Sequence, residues 1–557
     1  HRLGIYVEKG HLSPDIQQYK AIIIPSNADL TDPHKVDQLY NYVHDDGGGL
    51  IVFSNHNNLH YFLPVNNLLS KFNLSYTFCL INNEIESTKK LTVDTSNRLC
   101  SDLVFPNLII KFKTILNETE IDVRRLDDIV TTLRYHVMVC DETFYEELQE
   151  INESAWNYLL KTGYRTDELI CTDIKHGIII VLLLEISTKL PQNCVKPIPD
   201  HQSFPGKTAD DVELSNFSIS LDLQNEAWAS TGLYLPAGVV GAVEYLQIGS
   251  HHVNLLSKEN PWKRWPLITS IYHFRNKVIN VVSSFGGIVY ISYKLGYSNT
   301  SQTESIRLNF TNFTHYPMYD YAHPKTLETT KDIKVPWGEI VTKFVIFTVP
   351  SDFLRAIQNF EKINDFFTKI VENIQSLMSV TIEKPFRFVF DIDLLTGQPS
   401  CGYPLVFDIN DLNDILISFD KPSHKLFVAL TFMSICSIRE DCMDRITETA
   451  VATVVAAEIF RKLYPDFDPA NFDDFPYPAL FAELWEIHTK VNNEVIFKTL
   501  ATFQDPNFVM AEVQEDMLIQ FVVKLCEIGK MNFTRLLDRA YPVPLNISLS
   551  IEGLPMY

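Results

Sequence analysis

The sequence of 557 residues lacks several features that would have assigned it to a broad class at once. No segment approaches the roughly 18 consecutive apolar residues of a membrane-spanning helix, so we predict no membrane span. Basic residues are also scarce, because 47 Lys and Arg stand against 69 Asp and Glu, a net charge of −22. Phosphate binding needs a basic surface, so this balance argues against nucleic acid as a partner.

The cysteines contain no C-x-x-C pair. Nine of them are scattered along the chain, and an odd, unpaired set is typical of a reducing compartment. Frequent Asn-x-Ser/Thr sequons point the other way, but a chain rich in Asn, Ser and Thr produces many by chance. We therefore predict a cytoplasmic protein, and association with a membrane or with the cytoskeleton stays open.

What the sequence does contain is typical of a folded protein: 46% of the residues are hydrophobic and 12% are aromatic. The length suggests three or four domains. Changes in hydrophobic periodicity along the chain divide it into an α/β domain at 1–120, a helical region with a proline-rich linker at 121–211, a β-sandwich at 212–335 and a mostly helical domain at 336–557.

Local patterns support this division. Continuous apolar runs such as AIIIPS and GLIVFSN flank a helical segment, as expected for parallel strands that are covered on both faces. Short alternating runs after residue 212 are typical of a sandwich, and FRFVFDIDL (386–394) predicts a further strand. The densest basic cluster, Lys263 and Arg264 between two tryptophans, predicts a solvated turn.

Six short motifs in the second half occur in one order at regular intervals. They are WASTGLYLPAG (228–238), WKRWPLI (262–268), SSFGGIVYI (283–291), WGEIVTKFVIFTVPS (337–351), RFVFDID (387–393) and GYPLVF (402–407). This series resembles the enhancin-like, mucin-degrading zinc metallopeptidase family. The resemblance covers residues 210–557.

The first half adds a second likeness. Its IIIP strand and its GGGLIVFS turn resemble the degenerate glutamine-amidotransferase-like domain of one branch of that family, the TRP channel-associated factors. The resemblance implies a multidomain α+β fold. Its parts would be an amidotransferase-like α/β domain, a β-sandwich and a mostly helical, gluzincin-like peptidase domain.

Peptidase activity in the family depends on H-E-x-x-H in a helix and on a downstream glutamate. That spacing puts two zinc ligands on one helix face, with the first glutamate beside the metal-bound water. No H-E-x-x-H occurs in this sequence: His424 is followed by Lys425, and Val428 stands where the second histidine belongs. Glu448 is where the resemblance would put the distal ligand.

We therefore treat His424 and Glu448 as relic positions and predict no catalytic residues, no metal and no cofactor. The simpler interpretation of Glu448 is a carboxylate in the first turn of a helix that interacts with the helix dipole, and we favour it. The apolar run FVALTFMSICSI (427–438) predicts that the helix of the lost motif has become part of the core.

One motif keeps a possible binding role. In the family, the hairpin that matches Phe285, Gly286, Gly287 and Tyr290 borders the substrate cleft, so these residues could line a groove. The alternative is a tight hairpin inside a sandwich, which we favour.

These observations predict a non-catalytic pseudo-metallopeptidase that acts as a protein-binding or scaffolding factor. The resemblance implies a membrane channel as the partner. Two alternatives stay open: a structural component of a large cytoskeletal or ciliary assembly, and a glycan-binding protein that uses the sandwich.

Overall fold

The computed structural model divides the chain into two units. Unit 1 comprises residues 1–194 and 259–262, and unit 2 comprises residues 195–258 and 263–557. The residues that the structure describes are 16–25, 30, 33–53, 66–72, 105–139, 144–166, 168–171, 173–223, 228–243, 246–255, 258, 261–272, 279–292, 304–439, 442–466, 468, 479–505, 507–508, 511, 514–540, 543, 551 and 553–557.

Unit 1 is a short parallel sheet followed by helices. Its described strands and helices are β1 (Ala21–Pro25), α1 (Pro33–His44), β2 (Gly49–Phe53), α2 (Asn66–Leu69), α3 (Phe105–Leu116), α4 (Val123–Val139), α5 (Tyr145–Thr162) and α6 (Ile174–Ser187). Strands β1 and β2 pair in parallel with Ala21 opposite Gly49. Because parallel neighbours need a crossover, α1 connects them, as the sequence pattern predicted.

Local hydrogen bonds define the end of α5 and the start of α6. Gly163 stops α5 in a left-handed conformation at φ 73°, and its N–H donates to the carbonyl of Leu159. The Asp173 side chain accepts a hydrogen bond from the N–H of Lys175 and so caps the start of α6. Helix α6 is apolar on most of its faces and is largely buried.

Unit 2 contains two sheets. The first is antiparallel throughout, in the order β7-β6-β9-β4-β10-β5-β8 with β3 also paired to β10. Its strands are β3 (Ser215–Leu223), β4 (Trp228–Leu235), β5 (Gly241–Val243), β6 (Leu246–Ile248), β7 (Ser270–Tyr272), β8 (Ile279–Val281), β9 (Gly287–Ser292) and β10 (Glu304–His315).

A bulge in β10 lets this one strand pair with three others. The register to β3 shifts between Phe310 and Phe313. Asn312 takes a left-handed φ of 66°, and its amide donates to the carbonyl of Val240 over 3.2 Å. The extra residue bends the strand: Glu304–Phe310 and Phe313 pair with β3, Thr311 pairs with β5, and the last two residues of β10 pair with β4.

The second sheet is mixed and carries helices. It has the order β11 (Met318–Asp320), β12 (Trp337–Val341), β13 (Val345–Pro350), β14 (Phe386–Asp391) and β15 (Leu405–Asp408). The accompanying helices are α7 (Lys325–Thr330), α8 (Ser351–Ala356), α9 (Phe360–Met378), α10 (Leu412–Leu416), α11 (His424–Ile435), α12 (Arg445–Leu463), α13 (Phe481–Glu486), α14 (Val495–Gln504), α15 (Gln514–Gly529) and α16 (Thr534–Leu537).

The main core of unit 2 lies under this mixed sheet. Helix α9 shows how the sequence builds it: Asn359 caps its start, and the residues at helical spacing on one face are buried. They are Ile363, Phe367, Ile370, Ile374 and Met378. Among the described residues, no helix combines the length and the hydropathy that a bilayer span requires.

The proline-rich segment at 190–211 has a structure of its own. Short 3₁₀ turns cover Gln192–Cys194 and Pro199–Gln202. From Val195 onward it belongs to unit 2, where Asp200 is buried and accepts a hydrogen bond from the indole of Trp265 at 2.9 Å. This part of the segment is therefore packed rather than solvated.

Candidate functional site

Helix α11 begins at His424, the relic position that is not followed by the rest of an H-E-x-x-H motif. Ser423 caps its start by accepting a hydrogen bond from the N–H of Leu426, and Asp444 caps the start of the next helix, α12, in the same way. The side chains of α11 that enter the core are Leu426, Phe427, Ala429, Leu430 and Met433. The prediction that the run at 427–438 is part of the core is confirmed for these side chains.

The two relic positions, His424 and Glu448, do not form one site. His424 is the first residue of α11, whereas Cys436 follows its last residue. At 1.5 Å rise per residue these two ends lie about 18 Å apart. Glu448 acts electrostatically on the thiol of Cys436, so it lies near the far end of α11 from His424. As predicted, Glu448 is in the first turn of α12.

Lys425 follows His424, where an H-E-x-x-H motif would carry its glutamate, and it forms an ion pair. The Nζ of Lys425 lies 3.1 Å from Oδ1 of Asp411, whose side chain is only 7% exposed. Burial raises the pKa of Asp411, and the hydrogen bond and charge of Lys425 oppose that effect. An ammonium group at this position can neither bind a metal ion nor accept a proton from water.

Zinc, which the family resemblance implies, does not fit this arrangement. A catalytic zinc needs three protein ligands around one open position. Here an aliphatic side chain, Val428, stands one turn after His424, and Glu448, which is in the next helix, lies near the other end of α11. Within the ranges that the structure describes, no group of three or more His, Cys, Asp or Glu side chains could hold a metal ion.

The hairpin predicted as a binding element is interior. Phe285 and Tyr290 are buried, with 4% and 0% of their surface exposed, and the two glycines between them are buried as well. Gly286 has a φ of 70°, and a Cβ there would stand 2.7 Å from the carbonyl oxygen of Leu235. Their burial favours the tight-hairpin interpretation, and a groove lined by these residues stays a prediction.

A small cavity adjoins this hairpin. It measures about 10 Å³ and is lined by both glycines together with His251 and Trp337. That volume is at the lower limit for one water molecule. It is far below the roughly 300–1,000 Å³ of the clefts in which proteins bind small-molecule ligands.

Tyr290 belongs instead to a buried charged network that the sequence did not predict. Its hydroxyl donates to Oε1 of Glu339 at 3.0 Å, and the hydroxyl of Tyr316 donates to Oε2 at 2.7 Å. Arg387 forms an ion pair with the same carboxylate and lies over the ring of Tyr290, 4.9 Å from its centroid. Both charged side chains are fully buried, and their pairing offsets much of the cost of burying them, although Arg387 Nε has no hydrogen-bond partner among the described residues.

The prediction of a solvated basic turn at Lys263 and Arg264 is wrong for Arg264. Its side chain is fully buried, and its guanidinium donates two hydrogen bonds to Asp391, at 2.8 and 2.7 Å. Its neighbour Lys263 uses a backbone N–H, which donates to Asp393 at 2.7 Å. The charge count of NPWKRWP hid this role, although the two flanking tryptophans were a signal of burial.

Matches to known proteins were found for part of the chain. Residues 210–304 match the N-terminal domain of M60-like peptidases, and residues 318–425 match peptidase M60, enhancin and enhancin-like. A curated TRPM8 channel-associated factor homolog of Xenopus laevis is 27% identical over 206 residues, which are 34% of this chain and 22% of that protein. TRPM8 channel-associated factor 2 of Homo sapiens is 24% identical over 235 residues, which are 40% of this chain and 25% of that protein.

These alignments span about a quarter of the length of the curated relatives. Among solved structures, IMPa from Pseudomonas aeruginosa in complex with an O-glycopeptide is similar to this chain with a TM-score of 0.56. That match covers 96% of this chain and 76% of the other at 10% sequence identity, so it shows a shared fold alone.

Proposed function

We propose that this chain is a non-catalytic binding protein. The starting point is that residues 210–304 and 318–425 carry M60-like, enhancin-like peptidase domains. The observation that carries the proposal is the ion pair of Lys425 with Asp411. Lys425 is in α11, at the position where an active relative would have its catalytic glutamate. A carboxylate at this position could act as a general base beside a zinc ion, whereas a lysine that is paired with Asp411 cannot.

Two experiments on the purified full chain test the loss of catalysis. Metal analysis after incubation with excess zinc and desalting should find far less than one zinc per chain. An O-glycopeptide incubated with the chain should stay intact, while IMPa, which shares the fold, should be assayed beside it as the active control. Stoichiometric zinc together with cleavage that Glu448→Ala abolishes would refute the proposal.

The proposed partner is a membrane channel protein. The curated relatives are named channel-associated factors, and the similarity to them covers 34–40% of this chain in the two alignments above. We propose a cytoplasmic chain that binds a channel and acts as a scaffold. Its acidic surface, with a net charge of −22, suits basic segments of a partner.

Co-purification tests this partner. A detergent-solubilised TRPM8-type channel should be retained by the immobilised full chain and released as salt rises, and IMPa immobilised at the same density is the control with a matched fold. Absence of retention at low salt would contradict the channel proposal. Sedimentation of the chain with polymerised cytoskeletal filaments would favour the alternative of a structural component in a large assembly.

We also propose the finer domain division: an amidotransferase-like α/β domain at 1–120, a helical region and linker at 121–211, a β-sandwich at 212–335 and a gluzincin-like helical domain at 336–557. The parallel pair β1 and β2 with α1 between them supports the first part, because this is the repeating unit of α/β domains. The antiparallel sheet of β3–β10 supports the third.

A further inference from the structure

Two cysteines of unit 2 lie in contact. Cys401 is in the turn that precedes β15, Cys436 directly follows α11, and their sulfur atoms are 3.4 Å apart. A displacement of about 1.4 Å would bring them to the length of a disulfide bond, roughly 2.05 Å. The two residues are 35 positions apart in sequence, so the fold itself brings them together.

Backbone contacts hold both thiols in place. Ser400 and Val406 exchange hydrogen bonds of 2.9 and 3.1 Å, which close the turn that carries Cys401. The Cys401 thiol points to the carbonyl of Phe432 in the last turn of α11, at 3.7 Å, and the Cys436 thiol points to the carbonyl of Gly402, at 3.8 Å. Each sulfur is thus set against the other segment.

The pair is also accessible and unequal. Cys401 and Cys436 are both exposed, whereas the described cysteines Cys171, Cys442 and Cys526 are buried. A hydrogen bond between the two sulfur atoms, in which either thiol can be the donor, lowers the pKa of Cys436, while partial desolvation and the Glu448 carboxylate oppose this shift. Cys436 is therefore the better nucleophile of the two, and Cys401 is placed to resolve its adduct.

We propose that Cys401 and Cys436 are a redox modification site, which closes to a reversible disulfide when a low-molecular-weight disulfide of the glutathione type is the oxidant. The Cys436 thiolate attacks one sulfur of the oxidant and expels the first thiolate, which leaves a mixed disulfide on Cys436. The Cys401 thiolate then attacks Cys436 Sγ and expels the second. Two protein thiols are oxidised, the oxidant is reduced to two thiols, and these carry away the two protons.

The closed bond would tie the end of α11 to the turn before β15. This links the helix of the lost catalytic motif to the edge strand of the mixed sheet, and it crosslinks a loop of 35 residues. Crosslinking a loop of this size restricts the unfolded chain, so the oxidised protein should melt about 2–6 °C above the reduced protein. The inference does not depend on the proposed binding function.

Peptide mapping tests the bond directly. The native full chain is equilibrated in buffers from fully reduced to fully oxidised glutathione, alkylated and digested with trypsin. Trypsin cuts after Lys425 and after Arg439, so Cys401 and Cys436 fall in different peptides. We expect a crosslinked peptide pair that appears with oxidised glutathione and disappears with reduced glutathione.

Two single variants separate the roles of the thiols. Cys401→Ser should accumulate the glutathione adduct on Cys436, because the resolving thiol is missing, whereas Cys436→Ser should leave Cys401 largely unmodified. Cys194→Ser, at a half-buried cysteine elsewhere in the chain, is the matched control and should crosslink as the native chain does.

The melting temperature gives a second readout that shows whether each variant is folded. Native chain and Cys194→Ser should melt at a higher temperature when oxidised, and both site variants should melt cooperatively without that rise in melting temperature. The proposal is overturned if no crosslink forms in fully oxidised glutathione, if Cys436 pairs with Cys442 instead, or if Cys401→Ser gains no adduct.

Discussion

Arg264 and Asp391 form a fully buried, two-pronged ion pair that joins the turn before β7 to the end of β14. The guanidinium donates to both carboxylate oxygens, and its remaining hydrogen bonds go to the carbonyls of Trp265 and Val253. Burial raises the pKa of Asp391, but the charge and hydrogen bonds of Arg264 outweigh that effect and hold it below its usual value. Every polar atom of the guanidinium thus has a partner.

Removing one member of this pair should be costly. Arg264→Met leaves a buried carboxylate without its cation, and we expect the free energy of unfolding to fall by about 3–5 kcal/mol. Urea denaturation at pH 7 measures the loss. The matched control is Lys334→Met, which breaks the exposed pair of Lys334 with Asp211 and should leave stability nearly unchanged. Equal losses in the two variants would contradict this account.

The hydroxyl of Tyr316 stabilises a charge rather than a neutral group. Its hydrogen bond to the buried carboxylate of Glu339 is 2.7 Å long. Tyr316→Phe should therefore lower the free energy of unfolding by about 1.5–3 kcal/mol. Tyr464 offers a comparison, because its hydroxyl donates to the neutral carbonyl of Phe419 at 2.6 Å. Tyr464→Phe should cost only about 0.5–1.5 kcal/mol, and a ranking in the opposite order would sink the argument.

The sequence predicted the elements whose signal is local or periodic. The strand expected in FRFVFDIDL is β14, the crossover of β1, α1 and β2 is present, and the six motifs led to the family that the domain matches support. The absence of an H-E-x-x-H motif could also be read directly, because a motif is a matter of identity and spacing.

Pairing across the fold could not be predicted. Glu339 and Arg387 are 48 positions apart, and Arg264 and Asp391 are 127 apart, so no local pattern marks either pair. The same reason hid the contact of Cys401 with Cys436 and the distance between His424 and Glu448. Charged residues inside apolar motifs, such as Arg387 in RFVFDID, are a signal that the sequence did offer, as are the tryptophans on either side of Arg264.

Protonation of His251 makes the free energy of unfolding depend on pH in the mildly acidic range. Burial lowers its pKa to about 4, while the neighbouring Asp391 opposes the shift and Arg264 adds to it. The unfolded chain binds a proton near pH 6.5, so it binds more protons than the folded chain between pH 6.5 and 4. The contribution of neutral His251 to the free energy of unfolding is therefore complete above pH 6.5 and is lost as the pH falls to 4. The total loss is roughly 3 kcal/mol.

The variant His251→Gln should flatten that part of the pH profile. Its glutamine can still donate to the carbonyl of Phe390, which His251 Nε2 contacts at 3.0 Å, but it does not titrate. Urea unfolding measured from pH 7 to 4.5 gives the slope. His323→Gln, at a histidine whose side chain is 77% exposed, should keep the native slope. An unchanged slope in His251→Gln would contradict the assignment.

Gly286 allows a test of whether the hairpin is fixed by packing. Its φ of 70° penalises any side chain, and a Cβ would also stand 2.7 Å from the backbone nitrogen of Ala237. Gly397 has the same φ of 70°, but a Cβ there meets nothing within 4 Å. Gly397→Ala should therefore cost about 1–2 kcal/mol for conformation alone.

Gly286→Ala should cost that amount and a further 1–3 kcal/mol for the forced separation of two backbone segments. The difference between the two variants, measured by urea denaturation, isolates the close approach from the torsional penalty. If the two losses are equal, the hairpin opens readily away from Leu235 and Ala237, and the groove predicted around Phe285 and Tyr290 regains support. A larger loss at Gly286 fixes these residues as interior and moves the search for a binding surface to the outside of unit 2.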